Sequence, residues 1–177
     1  MPIAAPAVPR AALIKALPSL PMQILVLIRH AIAEDRETWR GSDDAKRPLT
    51  DAGRTQAQHI AKLVMKKVES LDRGAAIVSL RSSPATRCVD TVTPLSKKAG
   101  VAIDLDKGLM EGSEIKPPSP REDGVHILCA HGDNIPWLLD ELKIDWDDRC
   151  KKGSVWVIER DGRGRVTQAK YSATLKD

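Results

Sequence analysis

A chain of 177 residues suits one domain with a proper core, and a formal charge of +4 with a pI near 9.0 fits an anionic substrate without demanding nucleic acid. The basic residues include dispersed pairs, Lys66-Lys67, Lys97-Lys98 and Lys151-Lys152, without interleaved aromatics for base stacking, so nucleic-acid binding is set aside. Phe is absent and the aromatics are four Trp and one Tyr, so aliphatic packing must dominate.

Residues 1–21 are rich in Ala and Pro, with Pro2, Pro6, Pro9, Pro18 and Pro21 interrupting every apolar stretch, so neither a signal peptide nor a membrane span is expected. They read as a flexible leader, followed by a single domain over residues 22–177. The run Ile24-Leu25-Val26-Leu27-Ile28 then reads as a buried parallel strand from about Gln23 to Ile28. It ends abruptly in Arg29-His30, at the carboxyl end where open α/β sheets place their ligands. A polar loop over residues 32–49, containing Arg36, Trp39, Arg40 and Arg47, passes over that end. Thr50 or Asp51 caps a helix whose Ala57, Ile60, Ala61, Val64 and Val68 recur at helical spacing.

A second strand covers about Ala76 to Leu80. A helix follows from Pro84, with Ser83 as its expected N-cap, running toward Lys98 with a kink or early end at Pro94. Arg87 falls one turn inside it and can reach back toward the strand tips. A short strand around Val101 to Leu105 precedes Leu109-Met110-Glu111-Gly112. The stretch from Gly112 to Gly124 is too rich in Pro and charge to be helical and reads as a loop. Val125 to Ala130 is another strand ending in an imidazole, His131, and a short helix follows from Ile135 to Leu142. Two late strands, Ser154 to Glu159 and Arg165 to Tyr171, form a hairpin through Asp161-Gly162-Arg163-Gly164. The pattern is α/β, with helices on both faces of a mostly parallel sheet.

Three strand ends thus offer His30, His131, Arg29 and Arg87, a cationic pocket without an evident metal-ligand carboxylate cluster, suited to a phosphoryl group. Arg36 and Arg47 in the overlying loop are candidate additional phosphate or substrate ligands. His59 reads as a surface residue, His126 as edge packing, and Arg81 as a weaker loop cation. Cys88, Cys129 and Cys150 lack metal-ligand spacing, and an odd number argues against a disulfide framework. They point to a reducing, cytoplasmic setting.

Arg29-His30-Ala31, Ser83-Pro84-Ala85-Thr86-Arg87 and His131-Gly132 appear in the order of the motifs R-H-G, S-P-x-x-R and H-G. In them the chain resembles the histidine phosphatase superfamily, also called phosphoglycerate-mutase-like, over roughly residues 22–171. Lys46-Arg47-Pro48-Leu49-Thr50 resembles the short, lidless members, among them the bacterial phosphohistidine phosphatases and the phosphatase domain that follows some Nudix hydrolases. The resemblance implies a three-layer α/β/α fold and a cofactor-free, metal-independent phosphatase. In such an enzyme His30 is the nucleophile, Arg29, Arg87 and His131 hold the phosphoryl group, and Glu111 is the proton donor. The implied partner is a phosphorylated protein or a small phosphorylated molecule, with no membrane involved. A protein phosphohistidine phosphatase stands first, a nucleotide or small-metabolite phosphatase second, and a catalytically inactive phosphate-binding module is the alternative of another class.

Two departures stand out. Ala31 replaces the usual glycine, placing a methyl where it could narrow the approach of phosphate. The loop over residues 112–124 replaces a helix, which is expected to leave one sheet face less covered and the position of Glu111 loosely determined.

Overall fold

A computed structural model describes residues 22–71 and 75–174; the leader expected over residues 1–21 lies outside them. β1 (Met22–Arg29) sits inside the sheet, and its side chains divide between two apolar layers. Ile24, Val26 and Ile28 pack with Ile60, Val64 and Leu95, whereas Leu25 and Leu27 pack with Leu128, Leu138 and Ile158. A strand covered on both faces needs no polar positions, which is why the sequence shows a continuous apolar run.

β1 pairs in parallel with β4 (Gly124–Ala130), β4 with β2 (Ile77–Ser82), and β2 with the two-residue β3 (Asp104–Leu105). On its other side β1 pairs antiparallel with β5 (Val155–Asp161), which forms a hairpin with β6 (Val166–Ser172). The order is β3-β2-β4-β1-β5-β6, a mostly parallel sheet with the late hairpin at one edge. β3 is shorter than expected because Val101 and Ile103 pack against the helical layer.

Helices α1 (Asp51–Glu69) and α2 (Thr86–Ala99) pack together on one face. Thr50 caps α1, its hydroxyl accepting from the Gly53 amide. Gly53 is required by close approach: a Cβ there would lie 1.9 Å from the Ile32 carbonyl oxygen. The expected start of α2 shifts from Pro84 to Thr86, and Ser83 is not its cap; Ala85 holds that position without a side-chain bond. Pro94 does not end the helix, which runs to Ala99 and stops at Gly100 with φ 68°. Proline deletes one backbone donor, but burial of Val92 and Leu95 holds the segment helical.

The opposite face carries α3 (Asn134–Glu141) and the loop of residues 112–123, which contains no helix. That face is nonetheless covered. Ile115 inserts into the second apolar layer, and the buried Gln23 side chain donates to the Ser119 and Glu122 carbonyls at 2.6 and 3.2 Å. Arg160 bonds the Gln23 amide oxygen at 2.8 Å, and Arg81 donates to the Lys116 carbonyl at 3.0 Å. Side chains from the sheet tie down backbone that a helix would have satisfied internally.

Candidate active site

At the carboxyl ends of β1, β2 and β4 the chain gathers His30, Ser83, Arg87 and His131. The His30 and His131 ring centroids are 5.3 Å apart, edge to face. Nδ1 of His30 lies 2.8 Å from the Ala31 carbonyl oxygen. That oxygen can only accept, so Nδ1 carries the proton and Nε2 keeps its lone pair. Burial lowers the imidazole pKa to about 3, helped by the charges of His131, Arg87 and Arg29. His30 is therefore neutral at physiological pH.

Arg87 is almost fully buried; it donates to the Asp44 carbonyl at 2.9 Å and meets the Asp44 and Glu111 carboxylates at 3.2 and 3.3 Å. The loop after β1 is tied to this helix: the Ala31 amide donates to Thr91 Oγ1, which donates to the Arg87 carbonyl. Arg29 reaches from the end of β1 to the Cys150 carbonyl, its guanidinium lying against Gly132, where a Cβ would come within 2.5 Å of it. The glycine of the H-G pair is there for this approach. Nε of Arg29 and Nε of Arg87 are both buried without an acceptor, donors suited to an oxyanion.

His131 is fixed from several directions. Its Nε2 lies 2.9 Å from Ser83 Oγ and 3.5 Å from the Cys88 thiol, while Nδ1 faces Arg87 and Glu111 at 3.5 and 3.7 Å. Ser83, expected as a helix cap, instead orients this imidazole. Glu111 is also brought in: its carboxylate lies 2.9 Å from Arg36 and bridges toward Arg87 and His131. Asn134 supplies the restraint that the missing helix would have given. Its side chain accepts from the His131 amide at 3.0 Å and donates to the Leu109 and Met110 carbonyls at 3.2 and 2.9 Å. The Gly112 amide donates to Asp133 at 2.6 Å, closing the other side of Glu111.

Arg36 joins the cluster through Glu111 and Asp44. Arg47 does not face it in the same way: it is buried, and its donors go to Asp44 at 2.8 Å and to the Glu34 carbonyl at 2.6 Å, bracing the loop. Asp44, which the sequence reading did not single out, meets Arg36, Arg47 and Arg87 together, and these arginines hold its carboxyl below the usual range against the opposing effect of burial. An Asp beside the Lys46-Arg47 pair was the available signal. The Ala31 methyl lies in the apolar core, so it does not narrow the pocket as expected. His126 is buried in the interior strand β4 rather than at an edge, and bonds Ser79 at 2.8 Å, outside the cluster. His59 is exposed, as a surface residue should be. Among the described residues no group of three or more His, Cys, Asp or Glu side chains is placed to hold a metal ion, and no helix is long and apolar enough to cross a membrane.

A neutral buried histidine ringed by arginines and a second histidine at parallel strand ends is the arrangement the motifs announced. The chain belongs to the histidine phosphatase superfamily, branch 1, whose family model matches residues 25–116. A curated relative, an 8-oxo-(d)GTP phosphatase of Mycolicibacterium smegmatis, is 27% identical over 165 residues, covering 83% of this chain and 47% of the relative. The chain thus spans about half the length of that protein. Among solved structures it is similar to a putative phosphohistidine phosphatase SixA from Agrobacterium tumefaciens, with TM-score 0.65, 20% identity, and coverage of 86% of this chain and 99% of the other. A phosphoglycerate mutase from Plasmodium falciparum matches with TM-score 0.60 and 16% identity over 89% of this chain and 94% of that one. These structural likenesses establish the phosphoglycerate-mutase-like fold.

Proposed function

We propose that this chain is a metal-independent phosphatase in which Nε2 of His30 attacks the phosphorus of its substrate. The observation that carries the reading is the fixed tautomer of His30, neutral with Nε2 unprotonated amid Arg29, Arg87 and His131. The Nε2–P bond forms as the bond to the leaving group breaks. Arg29, Arg87 and His131 surround the phosphoryl oxygens, where charge accumulates. Glu111 protonates the leaving oxygen. Water then attacks phosphorus, giving its proton to Glu111 as the Nε2–P bond breaks and inorganic phosphate departs.

For the substrate, a nucleoside polyphosphate is the reading we favour, with a protein phosphohistidine second. A carboxyl held against Arg87 and His131 suits an oxygen leaving group, whereas the nitrogen of a phosphoramidate is readily protonated without one. The sequence likeness to a nucleotide phosphatase points the same way. The phosphohistidine reading keeps the support of an exposed Glu111 and Arg36 at the rim, which leave room for a protein substrate.

The test is turnover of acetyl phosphate, a nucleoside triphosphate and a phosphohistidine peptide with EDTA present, alongside His30→Ala. The expected result is phosphate release that falls at least about a thousand-fold in the variant. Wild-type turnover that survives the substitution would remove His30 from the mechanism. Release abolished by EDTA would remove metal independence.

A further inference from the structure

Beside the catalytic cluster lies a groove of about 380 Å³, lined by Arg36, Trp39, Gly41, Ser42, Asp44 and Glu111. Its volume falls in the range of small-molecule sites. Arg36, Asp44 and Glu111 belong to both groove and cluster, so the two are continuous. Passing outward, Arg87 is followed by Arg36, whose side chain is 60% exposed and can meet a second anionic group. Trp39 then forms an aromatic wall. The indole lies across Gly41, where a Cβ would come within 2.3 Å of the ring, so glycine is needed for that placement. Its Nε1 is buried without an acceptor, and no side-chain hydrogen bond accounts for the ring's position.

The segment bearing Trp39 is ordered before any ligand arrives. The Trp39 amide donates to the Asp35 carbonyl at 2.9 Å, and Asp35 Oδ1 accepts from the Glu37 and Thr38 amides at 2.9 and 3.1 Å. Arg47 braces the same loop from below. A preordered aromatic face loses little conformational freedom on binding a flat ring.

We propose that Trp39 is the platform on which the base of a nucleoside di- or triphosphate stacks, with Arg36 binding the phosphate next to the one transferred. The proposal rests on the nucleotide reading above. In a phosphohistidine the ring is bonded directly to the transferred phosphorus and would lie beside His30, without use for a remote indole. In a nucleoside polyphosphate the heterocycle is separated from the terminal phosphorus by at least one phosphate and a ribose, matching the order guanidinium, then indole.

The decisive comparison is a nucleoside triphosphate against inorganic tripolyphosphate, which shares the phosphate chain but has no base. The ratio of their kcat/KM values is measured in wild type, Trp39→Ala and Trp39→Phe. Stacking predicts that the ratio falls about ten-fold or more in the alanine variant, mainly through KM for the nucleotide, and recovers in the phenylalanine variant. An unchanged ratio in Trp39→Ala, whether or not both rates drop through loop damage, overturns the proposal. Wild-type turnover of acetyl phosphate or a phosphohistidine peptide with none of the nucleotide also overturns it, yet leaves the His30 phosphatase standing. Failure on every substrate removes both.

Discussion

On one face of the sheet two long helices, α1 and α2, interlock over Ile24, Val26 and Ile28; on the other an eight-residue helix and a pinned loop cover Leu25 and Leu27. The helical face supplies Arg87, and Thr91 beside it ties the loop that carries Ala31. These groups are buried and anchored through backbone. The loop face supplies Glu111, whose side chain is 41% exposed and whose position depends on Asn134 and Asp133. The fold thus separates two requirements. In the mechanism proposed above, oxyanion binding needs donors fixed in advance and is assigned to the rigid side. Proton donation is assigned there to the side held by fewer bonds, where a group can approach and withdraw.

The strongest way to break this comparison is at Arg87. Replacing it by alanine should lower kcat/KM by about a hundred- to a thousand-fold, the usual loss when one preorganised oxyanion donor is removed. Lysine should restore little, because its single ammonium cannot serve Asp44, His131 and a phosphoryl oxygen together. Steady-state kinetics on acetyl phosphate reads both. A mild effect would mean that the helical face is scaffold and the oxyanion is bound elsewhere.

Glu111→Gln tests the opposite face. Loss of general acid catalysis is expected to cost about a hundred-fold on an alkyl phosphate, and much less on a phosphoramidate, whose leaving nitrogen is easily protonated. Equal losses on the two substrates would instead make Glu111 an electrostatic neighbour of Arg36 and Arg87. Acetyl phosphate, with its good leaving group, should fall between them.

His30 links the rigid face to pH. Its pKa is about 3 in the folded chain against an ordinary 6.5 in the unfolded one, so between those values the unfolded chain binds the extra proton. Stability therefore rises with pH across that window. The contribution is whole above 6.5 and is withdrawn as the solution is acidified toward 3. From pH 7 to pH 5 this amounts to about 2 kcal/mol, on an order-of-magnitude reckoning. Urea unfolding of wild type and His30→Asn at both pH values measures it: the wild type should lose more on acidification. The same low pKa implies that the acid limb of kcat/KM is not set by His30, since the imidazole is still neutral at pH 5.

Much of this arrangement was legible in the chain because it rests on local patterns. Apolar runs ending in His30 and His131 mark strands buried on both faces. Ala57, Ile60, Ala61 and Val64, begun by Thr50, mark α1. The late hairpin followed from its turn residues. What escaped depended on partners far along the chain. Asp44 meets Arg87, Ser83 meets His131, and Asn134 meets Met110, none of them close in sequence. Ser83 looked like a cap because a proline follows it; the imidazole across the sheet decided otherwise. Pro94 points to a kink or an early end, yet the helix continues to Ala99 because burial of neighbouring Val92 and Leu95 outweighs the lost hydrogen bond. The loop over residues 112–123 was recognised as irregular, but no local pattern reveals that Gln23 and Arg160 would fasten it.

The smallest expected effect is the most direct test of whether the two faces differ mechanically. Ile60 on α1 and Ile115 in the loop are both almost fully buried, at 0% and 1% exposure, so their alanine variants remove equal amounts of apolar surface. The costs should nevertheless differ. Around Ile60 the lining is helix and sheet, which relax little, so a cavity persists and the loss lies toward the upper part of the 2–5 kcal/mol typical of such truncations. Around Ile115 one wall is backbone held by a few side-chain bonds, which can settle into the space, and the loss should be smaller by about 1 kcal/mol. Urea midpoints with unchanged m-values give the comparison. Equal losses would show that the loop is as stiff as the helices opposite. Glu111, four residues before Ile115, would then be a fixed part of the site rather than one that approaches and withdraws.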